Sequence, residues 1–173
     1  DIRGSLQRAQ SGSSLTLREL LDVGVMLRQI RGLTDYYASA GDAENTLTPL
    51  FTELSPNKWL EDKIQNAILS EDEIADTASA ELANIRRKIA QAGIRIRESL
   101  DKMVRSADVQ KSLMDNIVTV RDGRYVLPVK AEYKGNVKGI VHASSATGST
   151  LFIEPEAVVE ANNDIRVLQG REQ

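Results

Sequence analysis

From 70 to 106 the chain contains no proline and a single glycine, Gly93. Within that run Ile74, Ala78, Leu82, Ile85, Ala92, Ile96, Leu100 and Met103 follow one another at close to helical steps, with Ile89 between. The spacing approaches a heptad seam. Ser70 and Glu73 stand ahead of it at capping-box spacing. The pattern predicts one helix over 70–106, about 50 Å long at 1.5 Å per residue. A helix of that length is too long for the middle of a small globule, so it reads as a coiled coil, a strut or a lever.

The composition agrees with such a chain. Aromatic residues make up only 4% of the 173, which implies a thin core and an elongated, helical protein. Cysteine is absent. That excludes a disulfide framework and a thiolate metal site, and it suits a reducing, cytoplasmic setting. No apolar run approaches the roughly 18 residues a membrane span needs, so no membrane partner is expected. The first residue is not Met and the closing residues still read as helix, so the chain is expected to be part of a longer protein.

Shorter helices precede the long one. Ile2, Leu6 and Ala9 predict a first helix ending near Ser11-Gly12. Thr16 and Glu19 form a capping box, flanked by Leu15 and Leu20, and Leu20, Val23, Leu27, Ile30 and Leu33 continue that helix to about Ala38. A third helix is expected over 44–54. A fourth is expected to start at Ser55-Pro56, with proline at the first helical position and Trp59, Leu60, Ile64, Ala67 and Ile68 following.

After Ser106 the periodicity changes. Residues 117–121 and 124–130 are rich in β-branched side chains and are separated by Asp122-Gly123, a strong hairpin signal. Pro128 suggests an edge strand or a bulge. Two more strands are expected over 137–143 and 149–153, giving a four-stranded antiparallel meander. Glu154-Pro155 then opens a last helix that returns antiparallel to the long one. The fold class is mainly α with a small antiparallel β insertion: a helical bundle, long lever helices and a four-stranded clamp sheet at the tip. The expected divisions are a core bundle over 1–69, a lever over 70–106, a β clamp over 107–154, and a returning lever helix over 155–173. The last is about half as long as its partner, which also suggests that more chain follows.

Few residues carry reactive chemistry. His142 is the only histidine. One histidine cannot make a zinc site without unusual carboxylate help, so no metal ligands or catalytic residues are assigned. Ser144, Ser145 and Ser149 near it are read as a solvated β loop. The run from Ser144 to Thr150 lacks the lysine and second glycine of a nucleotide phosphate loop and precedes a strand, so no cofactor is assigned to this chain. Glu71, Asp72 and Glu73 fit the first turn of a helix, where the helix dipole favours acids. The cations are more telling. Between Ile117 and Thr150, Arg121, Arg124, Lys130, Lys134 and Lys138 are offset only by Asp122 and Glu132, so this segment is +3 while the remainder is −6. Positive charge gathered on a small sheet suits contact with a phosphate backbone. It also suits a strand edge protected from aggregation.

Three stretches carry a resemblance. Val120-Arg121-Asp122-Gly123-Arg124-Tyr125-Val126-Leu127-Pro128-Val129-Lys130, then Gly139-Ile140-Val141-His142, then Gly148-Ser149-Thr150-Leu151-Phe152-Ile153-Glu154-Pro155 resemble the bacterial MutS paralogues of the second type. The opening Asp1-Ile2-Arg3, the helix over 17–33 and Ile85-Arg86-Arg87 are compatible with that family's core and lever. The family has an acid after the histidine, where this chain has Ala143. The resemblance implies a cytoplasmic, homodimeric ATPase and endonuclease of the mismatch-repair MutS family. Its levers carry clamps around branched or duplex DNA, and it suppresses recombination. ATP and Mg would bind in a domain outside these 173 residues. The ribosome and its RNA are the alternative target, in rescue of stalled or collided ribosomes. A coiled-coil dimerisation segment is the purely structural alternative.

Overall fold

Local signals start most of the helices. The computed structural model describes residues 1–41 and 45–172, and its contacts divide the chain into two units, Asp1–Ala83 and Asn84–Gln173.

In the first unit, α1 (Arg3–Gln10) stops ahead of Gly12, which takes φ +83°. At the start of α2 (Leu17–Ser39) the Thr16 hydroxyl accepts from the Glu19 N–H, and the Glu19 carboxylate accepts from the Thr16 N–H at 2.9 Å. This is the capping box read from the sequence. α3 is confined to Thr48–Thr52. Position 44, the expected start of that helix, lies outside the described residues. Asn45 takes the Leu47 N–H on its side chain at 2.8 Å and gives its own N–H to the Thr48 hydroxyl at 3.0 Å, which holds a non-helical turn ahead of α3. α4 (Lys58–Ala67) begins later than expected, because Asn57 is the cap, accepting from the Leu60 N–H at 3.0 Å. The proline in a first helical turn is Pro49 of α3, and Pro56 stays outside α4. Val23, Ile64 and Ile68 form the core here, with Leu17, Leu20, Leu21, Leu27 and Leu60 packed around them. Gly24 permits close approach of α2 to α4, since a Cβ there would stand 3.1 Å from Ile64 Cγ2.

The long helix is shorter than its periodicity suggests. Residues expected to open it form a small hairpin, β1 (Ile68–Ser70) and β2 (Glu73–Ile74), and then a 3-10 turn over Asp76–Ala78. The Ser70 hydroxyl accepts from the Asp72 N–H at 3.3 Å inside the hairpin turn and caps no helix. Ala75 is buried and gives its N–H to the Ala67 carbonyl at 2.9 Å. The working cap is Ser79, whose hydroxyl accepts from the Leu82 N–H at 3.0 Å. α5 therefore covers Ala80–Val104, 25 residues, or about 37 Å.

In the second unit, a short α6 (Ala107–Gln110) leads to the sheet of β3 (Thr119–Arg121), β4 (Arg124–Lys130), β5 (Gly139–Ser144) and β6 (Thr150–Pro155). Asp122 at φ 51° and Gly123 at φ 73° join the paired Arg121 and Arg124, the geometry of a type I′ turn. The sheet is not a meander, because its order is β3-β4-β6-β5. The 3-10 stretch Ala131–Asn136 carries the chain far enough from β4 for the β5–β6 hairpin to insert β6 beside β4. β6, with Ile153, Glu154 and Pro155 buried, takes the interior place, and the more exposed β5 takes the edge.

Pro128 consequently sits in an interior strand and not on an edge. It pairs with Phe152 on β6, while its carbonyl accepts from Met114 N–H on the other side at 2.9 Å. Its missing N–H faces that irregular 112–114 segment, so the ladder to β6 loses nothing. α7 (Glu156–Glu172) starts only after Pro155 has closed β6. It runs antiparallel to α5, with Arg86 near the start of α5 bonded to Glu172 at the end of α7 at 2.7 Å. The core joins Ile96 and Leu100 of α5, Leu127 and Val129 of β4, Ile153 of β6, and Val158 and Ile165 of α7. The fold is mainly α with a small antiparallel sheet. No described helix is long and apolar enough to cross a membrane.

Candidate nucleic-acid interface

Formal charge separates with the two units. Residues 1–83 hold 7 basic and 14 acidic side chains, net −7, and residues 84–173 hold 15 and 11, net +4. The second unit, which carries the sheet, therefore holds the net positive formal charge.

The five cations singled out from the sequence have different fates. Arg121 ends β3 and is exposed. Its guanidinium lies over the Phe152 ring, 4.2 Å from the centroid, and donates to the Thr119 hydroxyl at 3.1 Å and the Val120 carbonyl at 2.8 Å. Among the described residues it meets no carboxylate. Arg124, its cross-strand partner, is spent inside the fold. One of its terminal nitrogens donates to Glu154 at 2.7 Å and the other to Asn163 at 2.6 Å. Lys130 ends β4 with its ammonium 5.8 Å from the Tyr133 ring centroid. Lys134 lies in the 3-10 connector and Lys138 immediately before β5, and both are exposed. No ion pair engages Lys130, Lys134 or Lys138 among the described residues. The alternation of β4 places Arg124 and Lys130 on one face, and Arg121 pairs opposite Arg124 on that face. The other two belong to the connector.

Sequence reasoning missed the group that organises this face. Glu154 is fully buried, accepts on Oε1 from Arg124 at 2.7 Å and from Asn162 Nδ2 at 3.0 Å, and meets His142 Nε2 through Oε2 in a short contact. Asn162, also buried, takes the Tyr125 N–H at 3.2 Å and ties α7 to the start of β4. His142 is half-buried in β5, within the strand expected over 137–143. The ladder pairs Val141 with Ile153 and Ala143 with Phe152, which leaves His142 as the extra residue of a bulge. Bulges re-aim side chains, and this one sets the imidazole against Glu154. Ala143 is half-buried opposite Phe152. The one available signal for Glu154 was an acid at the end of an apolar strand, where a buried carboxylate needs a cationic partner.

The serine-rich run has a structural part. Ser145 donates its N–H to the Thr150 carbonyl at 2.9 Å, and its hydroxyl accepts from the Thr150 N–H at 3.1 Å, closing the β5–β6 connection. A strand follows, so the geometry of a nucleotide phosphate loop is not built here. Among the described residues no three His, Asp or Glu side chains gather as metal ligands. What the sheet and its connector do offer is Arg121, Lys130, Lys134 and Lys138, which make no ion pair with a carboxylate among the described residues.

Gly93, the one glycine of the long periodic run, also has a local reason. A Cβ there would stand 3.0 Å from the Tyr125 hydroxyl. Tyr125 lies in an open groove of about 370 Å³ lined by Gly93, Ile94, Arg97, Val120 and Ile165, with the Arg97 guanidinium 5.9 Å from its ring.

In the first unit the buried charge is Glu61. Arg31 grips it with two bonds, of 2.8 and 2.9 Å, and Arg28 approaches to 3.7 Å. The hydrogen bond and charge of Arg31 hold the Glu61 carboxyl below its ordinary value against the opposing effect of burial, and Arg31 is raised in turn.

No family model matches the chain. Its relatives are nevertheless consistent. Along its whole length the chain is similar to a segment of proteins named endonuclease MutS2. The protein of that name from Acetivibrio thermocellus is 48% identical over 176 residues, covering 100% of this chain and 22% of that protein. Identity is 48% over 175 residues for Ruminiclostridium cellulolyticum and 43% over 177 for Brevibacillus brevis, with the same coverage. The chain thus spans about a fifth of the length of the curated relatives it matches.

Proposed function

We propose that this chain is the core, lever and clamp segment of a MutS2-type protein and that its sheet holds nucleic acid by the phosphates. The observation that carries this reading is the set of cations on and around the sheet, Arg121, Lys130, Lys134 and Lys138, that have no carboxylate partner among the described residues, in the unit that holds the net positive charge. The full-length similarity to endonuclease MutS2 supports the parent. In this reading α5 and α7 are the paired lever elements. The parent is a cytoplasmic homodimer that binds ATP and Mg in another domain, clamps branched DNA and suppresses recombination.

Contacts of this kind are read through salt. Each neutralised phosphate contributes about −0.9 to the slope of log affinity against log salt on duplex DNA, so these four cations together contribute roughly −3.6. The test is a four-fold charge reversal, Arg121→Glu, Lys130→Glu, Lys134→Glu and Lys138→Glu, in the full-length protein. Anisotropy of a labelled four-way junction is followed from 50 to 200 mM salt. The expected result is weaker binding and a slope shallower by about that amount. Unchanged affinity and slope would sink the assignment. Binding lost to isolated ribosomes but kept for the junction would move the target to ribosomal RNA.

A further inference from the structure

Arg121 is exposed, yet its guanidinium is fixed on two sides. β4 separates β3 from β6, and the side chain reaches over β4 to lie 4.2 Å from the centroid of the Phe152 ring. Phe152 stands on an interior strand, paired with Pro128 on one side and Ala143 on the other, so the ring is a firm support. Both hydrogen bonds of Arg121 leave from one terminal nitrogen, Nη1, to the Thr119 hydroxyl at 3.1 Å and the Val120 carbonyl at 2.8 Å. Nε and Nη2, which make up the other edge of the guanidinium, donate to no protein atom among the described residues. The same edge grips an oxyanion elsewhere in this chain. Arg31 holds the Glu61 carboxylate through Nε at 2.8 Å and Nη2 at 2.9 Å.

We infer that Arg121 is a pre-set, two-pronged seat for a single phosphodiester, with Phe152 and Thr119 as its positioning residues. The inference rests on the clamp reading above. A guanidinium that is stacked on a ring and tied at Nη1 keeps its free edge in one direction before any ligand arrives. Two parallel N–H donors on that edge match two non-bridging phosphate oxygens. A carboxylate has the same shape, but the setting favours phosphate. Lys130 shares the face, Lys134 and Lys138 stand on the connector, and none of the three is paired with an acid among the described residues. Because the fold has already ordered the long side chain, binding a phosphate there does not have to.

The test follows affinity of the full-length protein for a labelled four-way junction from 50 to 200 mM salt. Arg121→Lys keeps the charge and loses the fork, while Phe152→Leu keeps the fork and frees it. Each is expected to bind roughly two- to tenfold more weakly, the range set by ordering one long side chain. The salt slope should stay that of the wild type, because the cation remains. Phe152→Tyr retains the ring and should bind as the wild type does. Adding Phe152→Leu to Arg121→Lys should cost nothing further, an outcome that general damage to the sheet does not produce. Losses that multiply in the double variant overturn the role of Phe152. If Phe152→Leu does not fold, Thr119→Val decides the positioning. Weaker binding at an unchanged slope sustains it, and wild-type affinity ends it. Wild-type affinity in Arg121→Lys overturns the seat, leaves the salt-dependent clamp standing and assigns the free edge to a carboxylate. A wild type that binds no junction overturns clamp and seat together.

Discussion

Replacing Glu154 by glutamine changes one oxygen into an amide nitrogen and leaves the volume almost the same. No cavity opens, so the cost reports charge and hydrogen bonding alone. The Glu154 side chain is 0% exposed and the partner Arg124 is 15% exposed. Removing one member of a buried ion pair costs about 3–5 kcal/mol, because the remaining charge is stranded. Arg124 keeps Asn163 and a little solvent, which places Glu154→Gln near the lower end, about 3 kcal/mol. A domain the size of the second unit shifts its melting temperature by roughly 4–8 °C per kcal/mol, so the transition should fall by about 12–24 °C. Differential scanning calorimetry of the chain would show this in one of two transitions, or in a shared one. Exchanging the pair for apolar residues, as in Arg124→Met with Glu154→Leu, should recover much of the loss, since desolvation of both charges is then avoided. A shift of less than about 4 °C for Glu154→Gln would refute the reasoning. So would a double variant as unstable as the sum of its parts, for then the pair would not be coupled.

Two further outcomes follow from geometry. At Gly139 an added Cβ would stand 2.0 Å from the Glu154 carbonyl oxygen and 2.9 Å from Pro155 Cα, both backbone. Gly139→Ala should therefore part β5 from β6 and speed amide exchange at His142 and Ala143, and an unchanged exchange pattern would contradict it. In the first unit, folding lowers the Glu61 carboxyl below its ordinary value near 4.5. That contribution is complete above the unfolded value and is lost as pH falls through the folded one. The urea midpoint of the first unit should drop between pH 5 and pH 3, and Glu61→Gln should lower the midpoint at pH 5 and flatten the drop. Equal pH slopes for the two proteins would rule this out.

What could be read from the sequence was whatever is decided within a few residues. Thr16 and Glu19 meet across a single helical turn, and Asp122-Gly123 needs only two positive φ angles. Both came out as expected. The stretch 68–79 did not, because Ile74 and Ala78 fit a helical period while the structure prefers a hairpin that buries Ala75. That choice depends on bonds such as Ala75 N–H to the Ala67 carbonyl, which periodicity does not encode. The strand order escaped for the same reason. Neighbouring strands usually pair, and only the connector over Ala131–Asn136 and the apolar weight of β6 reverse that rule.

The two arginines of the hairpin show why composition alone misjudges a binding face. Arg121 and Arg124 flank one turn and lie directly opposite each other, an arrangement that is repulsive unless something absorbs it. The fold absorbs it unequally. Glu154, thirty residues further on, takes Arg124 into the interior, and the Phe152 ring supports Arg121 at the surface. Arg124 thereby becomes part of what holds α7, β4, β5 and β6 together, through Asn162, Asn163 and His142. In the proposed clamp a phosphate would meet Arg121 and the lysines, carried on a framework fixed by Arg124. Variants of the two residues should therefore separate in kind, Arg124 acting on stability and Arg121 on salt-dependent affinity, although a count of charge in the sequence treats them as equals.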